Sequence, residues 1–242
     1  MVLVHGAWHD AGCWRYLVPL LEARGHRVHA PDLPGQGANA ADPATISLKT
    51  YSRYISQLVE KIDNAVVLVG HSMSGMVISQ VAEAVPDDVD RLVYLSAYLP
   101  GDGQSLFDLI ATNRGDEPPT AIESAMSLSP DKRTCTIKAG QIAQLFYNRC
   151  PDTLKDQVPV AFTPQATLPL SGKVQLTPAR FGRLPKTYLC CLNDRVIPIQ
   201  HQRRMLTRQR CDEMVQLDAD HSPFLSCPET LAAILHSVSL AE

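Results

Sequence analysis

The sequence predicts an α/β fold, with a mostly parallel, doubly wound, six-stranded sheet and an inserted cap. Three observations carry this expectation. Short apolar runs alternate with helix-periodic stretches over the first hundred residues. The runs 66–69 and 91–97 are apolar at nearly every position, as strands covered on both faces are. After an interval rich in prolines and polar residues, the alternation resumes near residue 186. The 242 residues, 45% of them hydrophobic, suffice for one sizeable core.

In chain order, residues 2–5 read as a strand, and residues 14–23 as a helix ending before Gly25. Residues 26–30 form the next strand, followed by the turn-rich loop Pro31-Asp32-Leu33-Pro34-Gly35-Gln36-Gly37. A helix over about 48–61 has Tyr51, Ile55, Leu58 and Val59 on one face, which Ile62 continues just past its end. Strand 66–69 passes into helix 75–85, and 91–97 is the next strand. Between 99 and 184 the helix near 142–148 stands out, so 99–185 reads as a cap between core segments 1–98 and 186–242. Strand 186–192, helix 199–207, strand 213–217 and helix 228–238 complete the core. Ligands of such sheets bind at the carboxyl ends of the strands, which tests every candidate residue below.

The junction Gly70-His71-Ser72-Met73-Ser74 carries the chemistry. A strand that turns through G-x-S-x-G into a helix is a nucleophile elbow, lifting one hydroxyl above the strand ends. Gly70 meets the need for a small flank, and Ser74 stands where the motif expects glycine. Ser72 is therefore the expected nucleophile. Ser74 would have Met76 as a flank, which does not suit a close-packed turn.

A serine hydroxyl needs a base, and the base needs an acid to orient it. Downstream of Ser72, His201 falls inside a helix and His236 near the end of the last one; His221 alone directly follows a strand. Asp194, just past strand 186–192, is the expected acid. Asp102 competes because it also follows a strand, while Asp218 and Asp220 lie too near His221 in the chain and read as turn formers. The backbone N–H groups of Met73 and Ala7 are the expected oxyanion donors. Gly6 lets the backbone approach the substrate, and His5 reads as a loop-fixing residue. Trp8, Tyr98, Phe107, Leu145, Phe146, Tyr147 and Phe162 are expected around the substrate, some of them as ordinary core.

A net charge of −3 without long basic runs argues against nucleic-acid or anionic-membrane partners. No apolar run reaches the length of a membrane span. The seven cysteines, Cys13, Cys135, Cys150, Cys190, Cys191, Cys211 and Cys227, form no C-x-x-C, which predicts a reducing cytoplasmic setting and no zinc site. The opening Met1-Val-Leu-Val-His-Gly already reads as a strand and its turn, so no secretory leader is expected. The expected partner is a small-molecule ester; a homodimer is compatible with the sequence.

The blocks VLVHGAWHDAGCW, PLLEARGHRVHAPDLPGQG, VVLVGHSMSGMVI, LFYNRC, LTPARFG, CLNDRVIP and DHSPFLS span nearly the whole chain. With them the chain resembles α/β-hydrolases of the plant methylesterase and hydroxynitrile lyase family, and more closely the bacterial esterase relatives. The resemblance implies the α/β-hydrolase fold with a small cap, a triad of Ser72, Asp194 and His221, and no metal or organic cofactor. Hydroxynitrile lyases of this type carry threonine at the position of Gly6 and lysine at that of Ser222. Their absence favours a carboxylesterase over the lyase alternative. The competing class, a non-catalytic ligand-binding relative, is disfavoured by the complete triad.

Overall fold

The computed structural model describes residues 1–160 and 162–241. In chain order the elements are β1 (Val2–Val4), α1 (Leu17–Glu22), α2 (Leu48–Val59), β2 (Val66–His71), α3 (Ser74–Ala84) and β3 (Val89–Leu95). Then come α4 (Leu106–Arg114), α5 (Ala121–Ala125), β4 (Met126–Leu128), β5 (Thr134–Ile137), α6 (Ile142–Phe146), β6 (Gln165–Ala166) and α7 (Leu168–Ser171). The chain closes with β7 (Lys186–Cys191), α8 (Ile199–Arg208), β8 (Glu213–Leu217), α9 (Pro223–Ser226) and α10 (Pro228–Ser239).

The central sheet has the order β1-β2-β3-β7-β8, and every neighbouring pair is parallel. Every residue of β2 and β7 is buried, because helices cover both faces of these inner strands. The helix α2 starts in a capping box between Ser47 and Thr50 and turns Leu48, Tyr51, Ile55 and Val59 inward. The helix α3 buries Met76, Val77, Ile78, Val81 and Ala82, so it runs through the core and not over the surface.

The expected six-stranded sheet has five full strands. The expected strand 26–30 contributes a single parallel bridge, Val2 to His29, beside β1. His29 N–H donates to Met1 O at 2.9 Å and Leu3 N–H to His29 O at 2.8 Å. The next donor in that ladder would come from residue 31, and Pro31 has no N–H to give.

The segment between β3 and β7 holds more structure than the single helix expected there. Capping boxes start α4 (Ser105 with Asp108) and α5 (Thr120 with Glu123), and β4, β5 and β6 form a small antiparallel sheet. Leu106, Ile122, Cys135, Ile142 and Phe146 from this segment belong to the same buried cluster as the main sheet. Buried hydrogen bonds join it to the core, among them Trp8 Nε1–H to Cys135 O at 3.0 Å and Gln165 Nε2–H to the Tyr51 hydroxyl at 3.0 Å. No helix among the described residues is long and apolar enough to cross a membrane.

Candidate active site

The turn between β2 and α3 puts Ser72 at φ +55°, in the left-handed region that side chains rarely adopt. The turn is tight enough that its neighbours must be small. A Cβ on Gly70 would lie 2.8 Å from Ser74 O, and one on Gly75 only 2.0 Å from Tyr98 O. The tightest backbone approach therefore falls at Gly75, one position beyond the motif's fifth residue. Ser74 fits because its side chain leaves α3 in another direction. It is fully buried, and its Oγ–H donates to the carbonyl of His5 at the end of β1.

Asp194 and His221 follow β7 and β8, neighbouring strands of the sheet, and both side chains are fully buried. His221 Nδ1 lies 2.7 Å from Asp194 Oδ2. That oxygen also accepts from Ser96 Oγ–H, while Oδ1 accepts Val196 N–H at 2.7 Å and Ile197 N–H at 2.9 Å. Four donors hold this carboxylate, which offsets its loss of water and fixes its direction. The ring nitrogen bonded to a carboxylate carries the proton, leaving Nε2 as the basic atom. His221 Nε2 is buried and has no hydrogen-bond partner among the described residues. Asp102, the competing acid, accepts Leu176 N–H at 2.8 Å and supports the loop ahead of β7 instead.

Ala7 and Met73 line one cavity together with Ser72. Their N–H groups have no acceptor among the described residues, so both are available to a bound oxygen. The loop that carries Ala7 is held firmly. His5 Nε2 accepts Leu33 N–H at 3.0 Å, which leaves the proton on Nδ1 to bond Gly6 O at 2.9 Å. Gly6 packs onto the elbow: a Cβ there would meet His71 Nδ1 at 2.8 Å and Ser72 Cβ at 2.9 Å.

Of the expected substrate-facing residues, Trp8, Tyr98 and Phe107 line the cavity at Ser72, with Leu106, Ile110, Ile122, Met126, Leu170 and Val196. The cavity is narrow, about 40 Å³, and predominantly apolar. Its one carboxylate, Glu123, is taken up by Arg114 Nη1 at 2.8 Å and by the N–H and hydroxyl of Thr120. Tyr147 and Phe162 line a different, more polar cavity of about 280 Å³, which meets the first at Trp8 and includes Asp10, Arg15 and Gln157. Leu145 and Phe146 line neither and are core residues. Phe146 nonetheless sets its ring edge-on to His221 at 5.4 Å.

Several supporting residues escaped the sequence reading. His71 Nε2 donates to the carbonyl of His221 at 2.8 Å and so braces the base from behind. The two consecutive polar residues of Gly70-His71-Ser72 were the available signal, because a histidine in a buried strand needs a partner. Ser96, at φ +41° just after β3, has no such signal, because its role depends on a residue 98 positions away. Burial holds His5 and His71 below the ordinary histidine range and brings His9 down to about 3, so all three are neutral. Asp220 accepts Ser222 N–H, Ser226 Oγ–H and Arg149 N–H, tying the His221 loop to the segment after α6; burial raises its carboxyl pKa. No group of three or more His, Cys, Asp or Glu among the described residues has the spacing to hold a metal ion.

Residues 1–234 match the family model described as "Alpha/beta hydrolase family". The chain is 32% identical over 242 residues to a pyrethroid hydrolase of Sphingobium wenxiniae, covering 96% of this chain and 84% of that protein. It is 31% identical over 259 residues to putative methylesterase 11, chloroplastic, of Arabidopsis thaliana, with 98% of this chain covered. It spans only 63% of that methylesterase's length. A crystal structure of a pyrethroid hydrolase superposes with a TM-score of 0.88 at 28% identity, covering 99% of this chain and 96% of that one.

Proposed function

The chain belongs to the alpha/beta hydrolase family, and from that premise we propose that it cleaves small to medium hydrophobic carboxylic esters through an acyl-enzyme on Ser72. The observation that carries the reading is the 2.7 Å bond between His221 and the fully paired Asp194, in a site whose serine sits on a left-handed turn. The names of relatives, a pyrethroid hydrolase and a methylesterase, agree with ester cleavage.

In this reading Ser72 Oγ attacks the ester carbonyl while His221 Nε2 takes the hydroxyl proton. Negative charge builds on the carbonyl oxygen, which Ala7 N–H and Met73 N–H receive. Asp194 holds the imidazolium in place without taking its proton. The tetrahedral intermediate collapses, the C–O bond to the alcohol breaks, and His221 returns the proton to the departing alkoxide. Water then attacks the acyl-enzyme by the same steps in reverse roles, releasing acid and free Ser72.

Segment 99–185 acts as the cap, since α4, α5 and α7 supply most of the apolar wall opposite Ser72. The lyase alternative is weaker because Gly6 offers no hydroxyl to a cyanohydrin and Ser222 no charge to a leaving cyanide. We place the chain in a reducing, cytoplasmic setting on its cysteine pattern, seven residues with no C-x-x-C.

A panel of p-nitrophenyl esters of rising acyl length tests the reading. We expect turnover of short and medium acyl chains, and no turnover of esters with a charged acyl group, because the wall has no unpaired ion to receive it. Preference for charged esters would overturn the substrate class.

A further inference from the structure

We propose that Ser74 is a positioning residue that sets the spacing of the two oxyanion donors. The inference rests on the esterase reading above and extends it to a residue outside the triad. Ser74 Oγ–H donates to the carbonyl of His5, across 69 residues of sequence. One end of that bond is adjacent to Met73, whose N–H is the first donor. The other end lies two residues before Ala7, whose N–H is the second. The hydrogen bond therefore staples together the two backbone segments that must converge on one oxygen.

The surroundings give the staple its purchase. Ser74 is fully buried, so water does not compete for the His5 carbonyl. On the Ala7 side, His5 Nδ1–H holds Gly6 O at 2.9 Å. Because the peptide unit is planar, fixing Gly6 O also fixes the direction of Ala7 N–H. His5 thus sets the angle of the second donor, and Ser74 sets its distance from the first. The motif's usual glycine could not do this, having no donor side chain. Steric need does not explain Ser74 either, since the close backbone approach is at Gly75.

Two variants test the proposal, Ser74→Ala and Ser74→Gly, the second of which restores the motif's residue. Both are expected to lower kcat roughly ten- to hundredfold with KM nearly unchanged, because a displaced donor is felt mainly when charge develops. Affinity for a trifluoromethyl ketone, which forms an oxyanion on Ser72, is expected to fall by a similar factor. Affinity for the matching methyl ketone, which mimics the ground state, is expected to hold. A merely structural serine would shift the two ketones together or neither. Wild-type kcat in Ser74→Gly, or a loss confined to KM, would overturn the staple alone. A wild-type enzyme that neither turns over esters nor reacts with a phosphonate would sink the esterase reading and the staple with it.

Discussion

At the scale of single residues, the left-handed Ser72 and the four-donor shell of Asp194 carry most of the site's order. Asp194→Asn keeps an oxygen for the Val196 and Ile197 amides but turns an NH2 group toward the protonated nitrogen of His221. Its kcat is expected to fall by about 10⁴ with little change in KM, since the wrong tautomer results. Asp102→Asn is expected to leave kcat near wild type; steady-state kinetics on both variants check the assignment, and the reverse ranking would move the acid to Asp102. Gly75→Ala would push a methyl group against the Tyr98 carbonyl at 2.0 Å. It is expected to cost about 3 kcal/mol of unfolding free energy in urea. The triad candidates were legible because strand-end position and chain order are local properties of the sequence. Ser96 was not, because it matters only through a partner that folding brings near, and the strand position of His71 signalled the need for a partner without saying which.

At the scale of elements, the sequence separated the strands of the core well and misjudged two regions. The sixth strand shrinks to one bridge because Pro31 interrupts its ladder. The segment before β7 holds α4 and α5, whose Ser105–Asp108 and Thr120–Glu123 capping boxes were readable in advance. Its small sheet was harder to foresee, since β6 is two residues long and pairs through tertiary placement. Trp8 links this segment to the oxyanion loop through its indole N–H. Trp8→Phe keeps an aromatic ring and removes the donor to the buried Cys135 carbonyl. It is expected to cost about 1–3 kcal/mol in urea unfolding, and an unchanged midpoint would show that the bond holds nothing.

At the scale of the whole molecule, stability and reaction class follow from the same buried polar centre. His5, His9 and His71 are neutral because burial depresses their affinity for protons, His9 to about 3 from an ordinary 6.5. Unfolding exposes them, so below the ordinary histidine range the unfolded chain binds more protons than the folded one. Stability is therefore full above about pH 6.5 and declines as pH falls below it; for His9 the decline continues to about 3, at about 1.4 kcal/mol per pH unit. Urea unfolding at pH 7.5 and 5.0 reads this directly; equal stabilities would contradict it. The reaction class follows from what the site lacks. With Gly6 and a neutral Ser222, p-nitrophenyl acetate is expected to turn over and mandelonitrile barely to release cyanide once spontaneous decay is subtracted.

A nucleophilic Ser72 that forms an acyl-enzyme must also react with a fluorophosphonate, and peptide mapping by mass spectrometry locates the adduct. A single phosphonyl adduct on Ser72 is expected, formed in step with loss of ester turnover and absent from Ser72→Ala, which keeps its fold. An adduct on Ser74, or full ester turnover with Ser72 unmodified, would contradict it.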